Sequence, residues 1–385
     1  MDVPPPRPRP RPACLAVLTA GLLLAACTPP APRLAPGVHS SIYVAGDPDE
    51  VRVFDALNYR LQARLHVAAH PIALSFNPAR NEVYCLSDLG REVTVITVLG
   101  PSVGAAIRLP ARPAAMALNG SGTHLYVVTG TVPGEPGELL DLDLGARRIA
   151  GRLAVGRAPH SVAIAANGDQ VAVSNGGDDT VSLIDPLHWT LQATVGVAHG
   201  PSQIVILPYG HKLFVLCPAA NAVAVVDTQL HALLTYLPVG PRPAQLALKP
   251  DGGEIYVSNG EAGSLNIIDT AANEVAGTLL TGKNPEGITV EQTVAGAVTV
   301  YVANQGSNTV SVMRMDDRKT VGLIPVGTGP DRLVLGPTGR TLFVEDAVSG
   351  DIAVVITDFN SLVTMLPTPA APRALQLVTF QSPTP

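Results

Sequence analysis

Short apolar runs of four to seven residues, rich in Val, Ile, Leu and Ala, recur along this chain between breaks of Gly, Pro, Asn and Asp. Such runs bounded by turn residues read as strands. They fall into groups of four. In the clearest group, PAQLALKPDGGEIYVSNGEAGSLNIIDTAANEVAGTLLTG, the pattern predicts strand a at Gln245 to Leu248 and strand b at Glu254 to Ser258. Strand c follows at Ser264 to Ile268 and strand d at Glu274 to Leu280. The runs do not alternate cleanly between apolar and polar, which fits sheets buried on both faces.

The groups repeat. An aromatic residue returns in strand b at Tyr43, Tyr84, Tyr126, Phe214, Tyr256, Tyr301 and Phe343, with Ala172 in the one gap. The spacings are 41, 42, 46, 42, 42, 45 and 42 residues. Strand-rich repeats of this period point to a β-propeller. A proline opening each repeat counts the same way, at Pro71, Pro113, Pro159, Pro201, Pro243, Pro285, Pro330 and Pro372. The chain enters at His39 with strands b, c and d only, and ends in PRALQLVTF, a lone strand a. The two ends together make one blade, which closes the ring without an open seam. The prediction is therefore all-β: an eight-bladed β-propeller over residues 39–380, its last blade closed by N- and C-terminal strands, with seven blades if one degenerate repeat is not a blade. Residues 381–385 read as a disordered tail.

The segment before the repeats has a different character. Arg7, Arg9 and Arg11 precede an apolar stretch from Ala13 to Ala26, too short to span a bilayer and of signal-peptide length. It ends in Leu24-Ala25-Ala26-Cys27, which resembles a bacterial lipoprotein signal. Residues 1–26 are expected to be removed, Cys27 to be lipidated, and residues 27–38 to form a Pro-rich tether. This places the protein outside the cytoplasm, lipid-anchored to the cell envelope on its periplasmic or extracellular side. Without residues 1–26 the formal charge falls from −6 to about −8, which disfavours nucleic acid as a partner. Cys85 and Cys217 lie in strands of non-adjacent repeats and are expected to be buried free thiols.

The repeat wording resembles a known family. Tyr256-Val257-Ser258-Asn259 and Tyr301-Val302-Ala303-Asn304 are similar to the YVTN β-propeller repeat, as are Val239-Gly240-Pro241-Arg242-Pro243 and the Ile268-Asp269-Thr270 turn. The resemblance covers nearly all of residues 39–380 and implies an exported or surface propeller. It implies no particular activity. Repeats ending in Ser87, Thr129, Cys217 and Asp346 keep the aromatic but lose the Asn.

In a propeller the d–a and b–c connections share one face, around the mouth of the central channel, and fold analogy places a ligand site there. The d–a segments supply His70, Arg112, His160, His199, Arg242, Glu286, Asp331, Arg332 and Arg373. The b–c loops supply Asp47, Asp49, Asp88, Asp178, Asp179, Glu261, Glu345 and Asp351. Eight of these, His70, Arg112, His160, His199, Arg242, Glu286, Asp331 and Arg373, form the candidate ligand-binding rim. His160 directly follows its repeat proline and is expected near the axis. No P-loop, nucleophile elbow, His-Glu-x-x-His or calcium loop occurs. Gly176-Gly177-Asp178-Asp179 lacks the carboxylate spacing of a calcium loop. The Asp residues closing strand c (Asp55, Asp143, Asp185, Asp227, Asp269) are read as turn formers. The repeated aromatics are read as packing between blades.

These features predict a monomeric binding scaffold for an envelope protein, peptide or glycan, with no metal and no cofactor. The alternative is a lactonase-like hydrolase or a metal- or haem-handling protein, as some similar propellers are, with its site at the channel mouth. There His160, His199 and His70 would act as ligands or bases, and Arg242 and Arg112 would hold carboxylates.

Overall fold

The computed structural model describes residues 34–132, 137–208, 211–368 and 370–382. The signal segment, Cys27 and most of the tether therefore lie outside the described residues, as do residues 133–136 of the long b–c insertion and the end of the tail. The repeats form eight four-stranded antiparallel sheets. Helix is confined, among the described residues, to the single 3₁₀ turns Pro218–Ala220 and Thr357–Phe359.

In each sheet the strands lie in the order a-b-c-d, and the a strands touch one another round the ring, so they wall the channel. Blades are numbered here by their opening prolines, from Pro71 (blade 1) to Pro372 (blade 8). Blade 5 has strands Pro243–Leu248, Glu254–Asn259, Ser264–Asp269 and Glu274–Leu280, within two residues of the sequence expectation. Blade 8 is the composite. Its inner strand, Ala370–Gln381, pairs with Val38–Asp47, which is followed by Glu50–Asp55 and Leu61–His66. Gln381 thus belongs to the sheet rather than to the tail, and Ser382 N donates to Gly37 O at 2.9 Å.

The repeated residues each have a place. Proline cannot donate to a ladder, and it stands opposite the last residue of strand b, as in Pro71–Ser87, Pro243–Asn259 and Pro285–Asn304. A bulge follows at once in each of these pairs. The aromatics fill the interfaces between blades. Tyr84 packs with Leu125, Val127 and Leu140 of the next blade, Tyr256 with Val300 and Val302, and Phe343 with Ile42 and Val44. All five strand-c aspartates bond two backbone N–H groups of the following turn: Asp269 Oδ1 accepts from Ala271 and Ala272, both at 2.8 Å, and Asp55, Asp143, Asp185 and Asp227 do likewise. Cys85 and Cys217 are free and buried.

The lost asparagines have a steric explanation. Where strand b ends in Asn, the d–a turn facing it carries Gly. A Cβ on Gly156, Gly240 or Gly282 would come within 2.6, 2.8 and 2.6 Å of Asn175, Asn259 and Asn304. Each of these Asn Nδ2 groups donates to the start of strand c, Asn304 for example to Thr309 Oγ1 (3.1 Å) and Ser311 Oγ (2.9 Å). In blade 1 the facing residue is Ala68, and the strand ends in the smaller Ser87, whose hydroxyl donates to Ala68 O at 2.9 Å. Clamp and turn therefore change size together.

Candidate functional site at the channel mouth

The d–a and b–c connections do share a face, because their side chains bond each other. Asp88, from a b–c turn, takes hydrogen bonds from His70 and Arg112 on the two flanking d–a turns. His70 Nε2 lies 3.9 Å from Asp47 Oδ1, and Arg373 grips Asp47 through Nη2 at 2.8 Å and Nε at 3.1 Å. These five residues form one continuous belt across blades 8, 1 and 2. Burial would raise the Asp88 carboxyl, but the bonds from Arg112 and His70 outweigh it and hold it below its ordinary value. The Arg373 bond does the same for Asp47.

The other rim candidates separate. His199, largely exposed, meets Asp179 at 2.9 Å. Arg242 bonds Glu286 at 3.0 Å. Among the described residues His160 has no side-chain hydrogen-bond partner. It is open to the water of the channel, yet protein surrounds the ring closely enough for desolvation to lower its pKa. Among the described residues no three His, Cys, Asp or Glu side chains are grouped to hold a metal ion.

The sequence assigned His160, Glu286, Asp331, Arg332 and Arg373 to connecting segments, but the structure puts them inside inner strands, all but Arg332 directly after the proline, at the bulge. The same position in the other blades holds Ile72, Ala114, Ser202 and Ala244. One residue per blade thus stands at this level of the channel wall, and four of the eight rim candidates (His160, Glu286, Asp331, Arg373) are among them.

A cavity of about 340 Å³ opens on the wall formed by the inner strands of blades 4 to 8. Its polar lining is Gln203, Gln245, Glu286, Asp331 and Arg332. The two glutamines are structural. Gln203 Oε1 accepts from Leu246 N (2.8 Å) while its Nε2 donates to Leu246 O (3.0 Å), and Gln245 Oε1 accepts from Ile288 N (2.6 Å). They satisfy backbone groups of the next inner strand, which no neighbouring strand reaches. Gly287 also has a reason: a Cβ there would lie 2.0 Å from Asp331 O.

Behind the cavity lies what the sequence misplaced. Glu345 was assigned to a b–c loop, but it sits in strand Thr341–Asp346 and is fully buried. Arg332 Nη1 bonds Glu345 Oε1 at 3.0 Å and approaches Asp331 Oδ2 at 3.3 Å, while Glu345 Oε2 has no partner. Burial pushes the Glu345 carboxyl up to about 7 and raises that of Glu286 as well. The one available signal was charge in the body of strand b, where other repeats have Ala45, Leu86, Val128, Ser174, Leu216, Ser258 and Ala303.

No protein-family model matches this chain, and no curated protein does. Solved structures do. The chain is similar to dihydro-heme d1 dehydrogenase NirN in complex with DHE, at 15% identity and TM-score 0.73, covering 91% of this chain and 78% of that one. It is similar to AztD from Citrobacter koseri, at 12% identity and TM-score 0.68, covering 90% and 100%. It is also similar to Kuenenia stuttgartiensis hydrazine synthase, at 19% identity and TM-score 0.59, covering 76% and 97%. At such identities the likeness shows the β-propeller fold and nothing of the chemistry.

Proposed function

We propose that this protein is an exported, lipid-anchored member of the YVTN-repeat propellers. It acts as a binding scaffold that takes a protein, peptide or glycan on its loop-rich face, with one group of the ligand entering the channel-mouth cavity. The observation that carries this reading is the cavity itself. It is walled by five inner strands and sized for a single sugar or side chain, while the rim side chains around it are held in mutual ion pairs instead of being poised as nucleophile and base. A thermal-shift panel on the chain from Thr28 onward tests it, with cell-wall fragments, peptides, sugar acids and lactones. Occupancy at 100 times the dissociation constant stabilises by roughly 2.7 kcal/mol. The expected result is a shift with a glycan or peptide that Ala244→Trp, which fills the cavity, abolishes. Turnover of a lactone would overturn the reading. Mass spectrometry of the mature N-terminus tests the anchor, a diacylglyceryl group on Cys27 being expected.

A second reading, haem or metal handling, has one observation in its favour. His160 is an unpaired imidazole on the channel wall, kept neutral by desolvation, as a metal ligand must be. NirN, with the highest TM-score of the three structures above, is named for a haem substrate. A Soret band after haem addition, lost in His160→Ala, would favour this reading over the first.

A further inference from the structure

We propose that the channel-mouth cavity selects its ligand through a primary ammonium group seated between Glu286 and Asp331. The proposal rests on the binding reading above and names the chemistry of the group that enters.

The rim looks suited to anions from its arginines, but five of them are already engaged by carboxylates. Arg112 is on Asp88, Arg157 on Asp178, Arg242 on Glu286, Arg332 on Glu345 and Asp331, and Arg373 on Asp47. Six carboxylates engage these five arginines. The imbalance is sharpest at the cavity, where Arg332 serves two carboxylates at once. The amide oxygens of Gln203 and Gln245 already accept from backbone N–H groups, so the carboxylates of Glu286 and Asp331 are the acceptors a ligand meets.

The unpartnered oxygen of Glu345 makes exchange possible. A guanidinium offers donors in a fork that matches both oxygens of a carboxylate. When an ammonium takes over Asp331, Arg332 can give itself wholly to Glu345 and supply the missing donor to Oε2. Every charge stays paired, and an orphan acceptor is satisfied. An anionic ligand does the reverse. To receive it, Arg332 must leave Glu345, and a fully buried carboxylate is left uncompensated.

The experiment uses the protein from Thr28 onward at pH 7 and low salt, with four small probes read by calorimetry and thermal shift. Glucosamine and Nα-acetyl-lysine N-methylamide carry the ammonium. N-acetylglucosamine and glucuronate present the same ring without it. The ammonium probes are expected to bind, and glucosamine alone or the lysine probe alone would identify a glycan or a peptide as the source. Glu286→Gln and Asp331→Asn, both isosteric, are each expected to weaken binding at least about tenfold, equivalent to 1.4 kcal/mol. Glucuronate or N-acetylglucosamine binding as well as glucosamine would overturn ammonium selection and leave the cavity as a ligand site. No binding by any probe at about 10 mM, enough to fill a millimolar site, would overturn the proposal, and the cavity's role as a binding site with it.

Discussion

Asp346→Asn should stabilise this protein at neutral and alkaline pH. Asp346 occupies the place that Asn175, Asn259 and Asn304 hold in blades 3, 5 and 6. Those amides accept from or pack on a turn glycine and donate to the start of strand c. In blade 7 Asp346 Oδ2 accepts from Gly327 N at 3.1 Å, but Oδ1 is buried with no partner. The residue opposite it on strand c is Asp351, itself an acceptor, whose Oδ1 takes the Ser349 hydroxyl at 3.1 Å. Two acceptors facing each other need a proton, and Asp351 is the charged group that Asp346 meets. Burial, then the Asp351 charge, push the Asp346 carboxyl up to about 8. The folded state therefore holds a proton that the unfolded chain, with its carboxyl at the ordinary value, has released. Stability falls as pH rises from about 4 to about 8 and is level outside that window. Each unit of displacement is worth about 1.4 kcal/mol. Three units separate the ordinary carboxyl from pH 7, a ceiling of about 4 kcal/mol that relaxation of the site lowers. Asparagine supplies the donor without a borrowed proton, so about 2 kcal/mol should be regained at pH 7, or roughly 3 °C in Tm. Thermal melts of both proteins at half-unit steps from pH 5 to 9 measure this. Curves that stay parallel across the range, or a variant less stable at pH 8, would refute the protonated-carboxyl account.

Three further outcomes follow from the same packing. Tyr256→Ala, at a fully buried interface between blades, should cost about 3–5 kcal/mol, read by urea denaturation. Gly287→Ala, whose added methyl would lie 2.0 Å from Asp331 O, should lower Tm and weaken any cavity ligand together, because the two inner strands must part. Arg112→Ala removes the counter-charge that outweighs burial at Asp88, so the Asp88 carboxyl should rise. The depressed Asp88 and Asp47 carboxyls contribute stability that is present above their unfolded pKa and lost on acidification. Melts between pH 3 and 6 should therefore show less of that loss in the variant.

The fold was legible because its signals are local and repeated. Tyr256, Pro243 and Asp269 each do a job set by their own blade, and eight copies average out the exceptions. The composite blade was legible from the missing strand at each end. The site was legible only as a face. His70, Arg112 and Arg373 lie on one rim, but their engagement with Asp88 and Asp47 depends on the turn of each loop. Glu345 read as a loop residue because charge is rare inside a buried strand, and that rarity was the useful signal. The pairing of Gly156 with Asn175 and of Ala68 with Ser87 was present in the sequence too, but it links positions in different strands that only the sheet brings together.

A ring of equivalent blades has no preferred place for a site, so function must come from what breaks the equivalence. The residues that follow the repeat proline run from Ile72 and Ala114 to Glu286, Asp331 and Arg373. The charged ones are consecutive, in blades 6, 7 and 8. Blade 7 departs further, with Glu345 and Asp346 where blade 6 has Ala303 and Asn304 and blade 8 has Ala45 and Gly46. These are the two carboxyls that burial raises to about 7 and about 8. Both stand beside the strand that carries Asp331 and Arg332. Buried charge costs stability, and blade 7 holds two fully buried carboxyls behind its inner strand. The asymmetry of blade 7 thus coincides with the cavity.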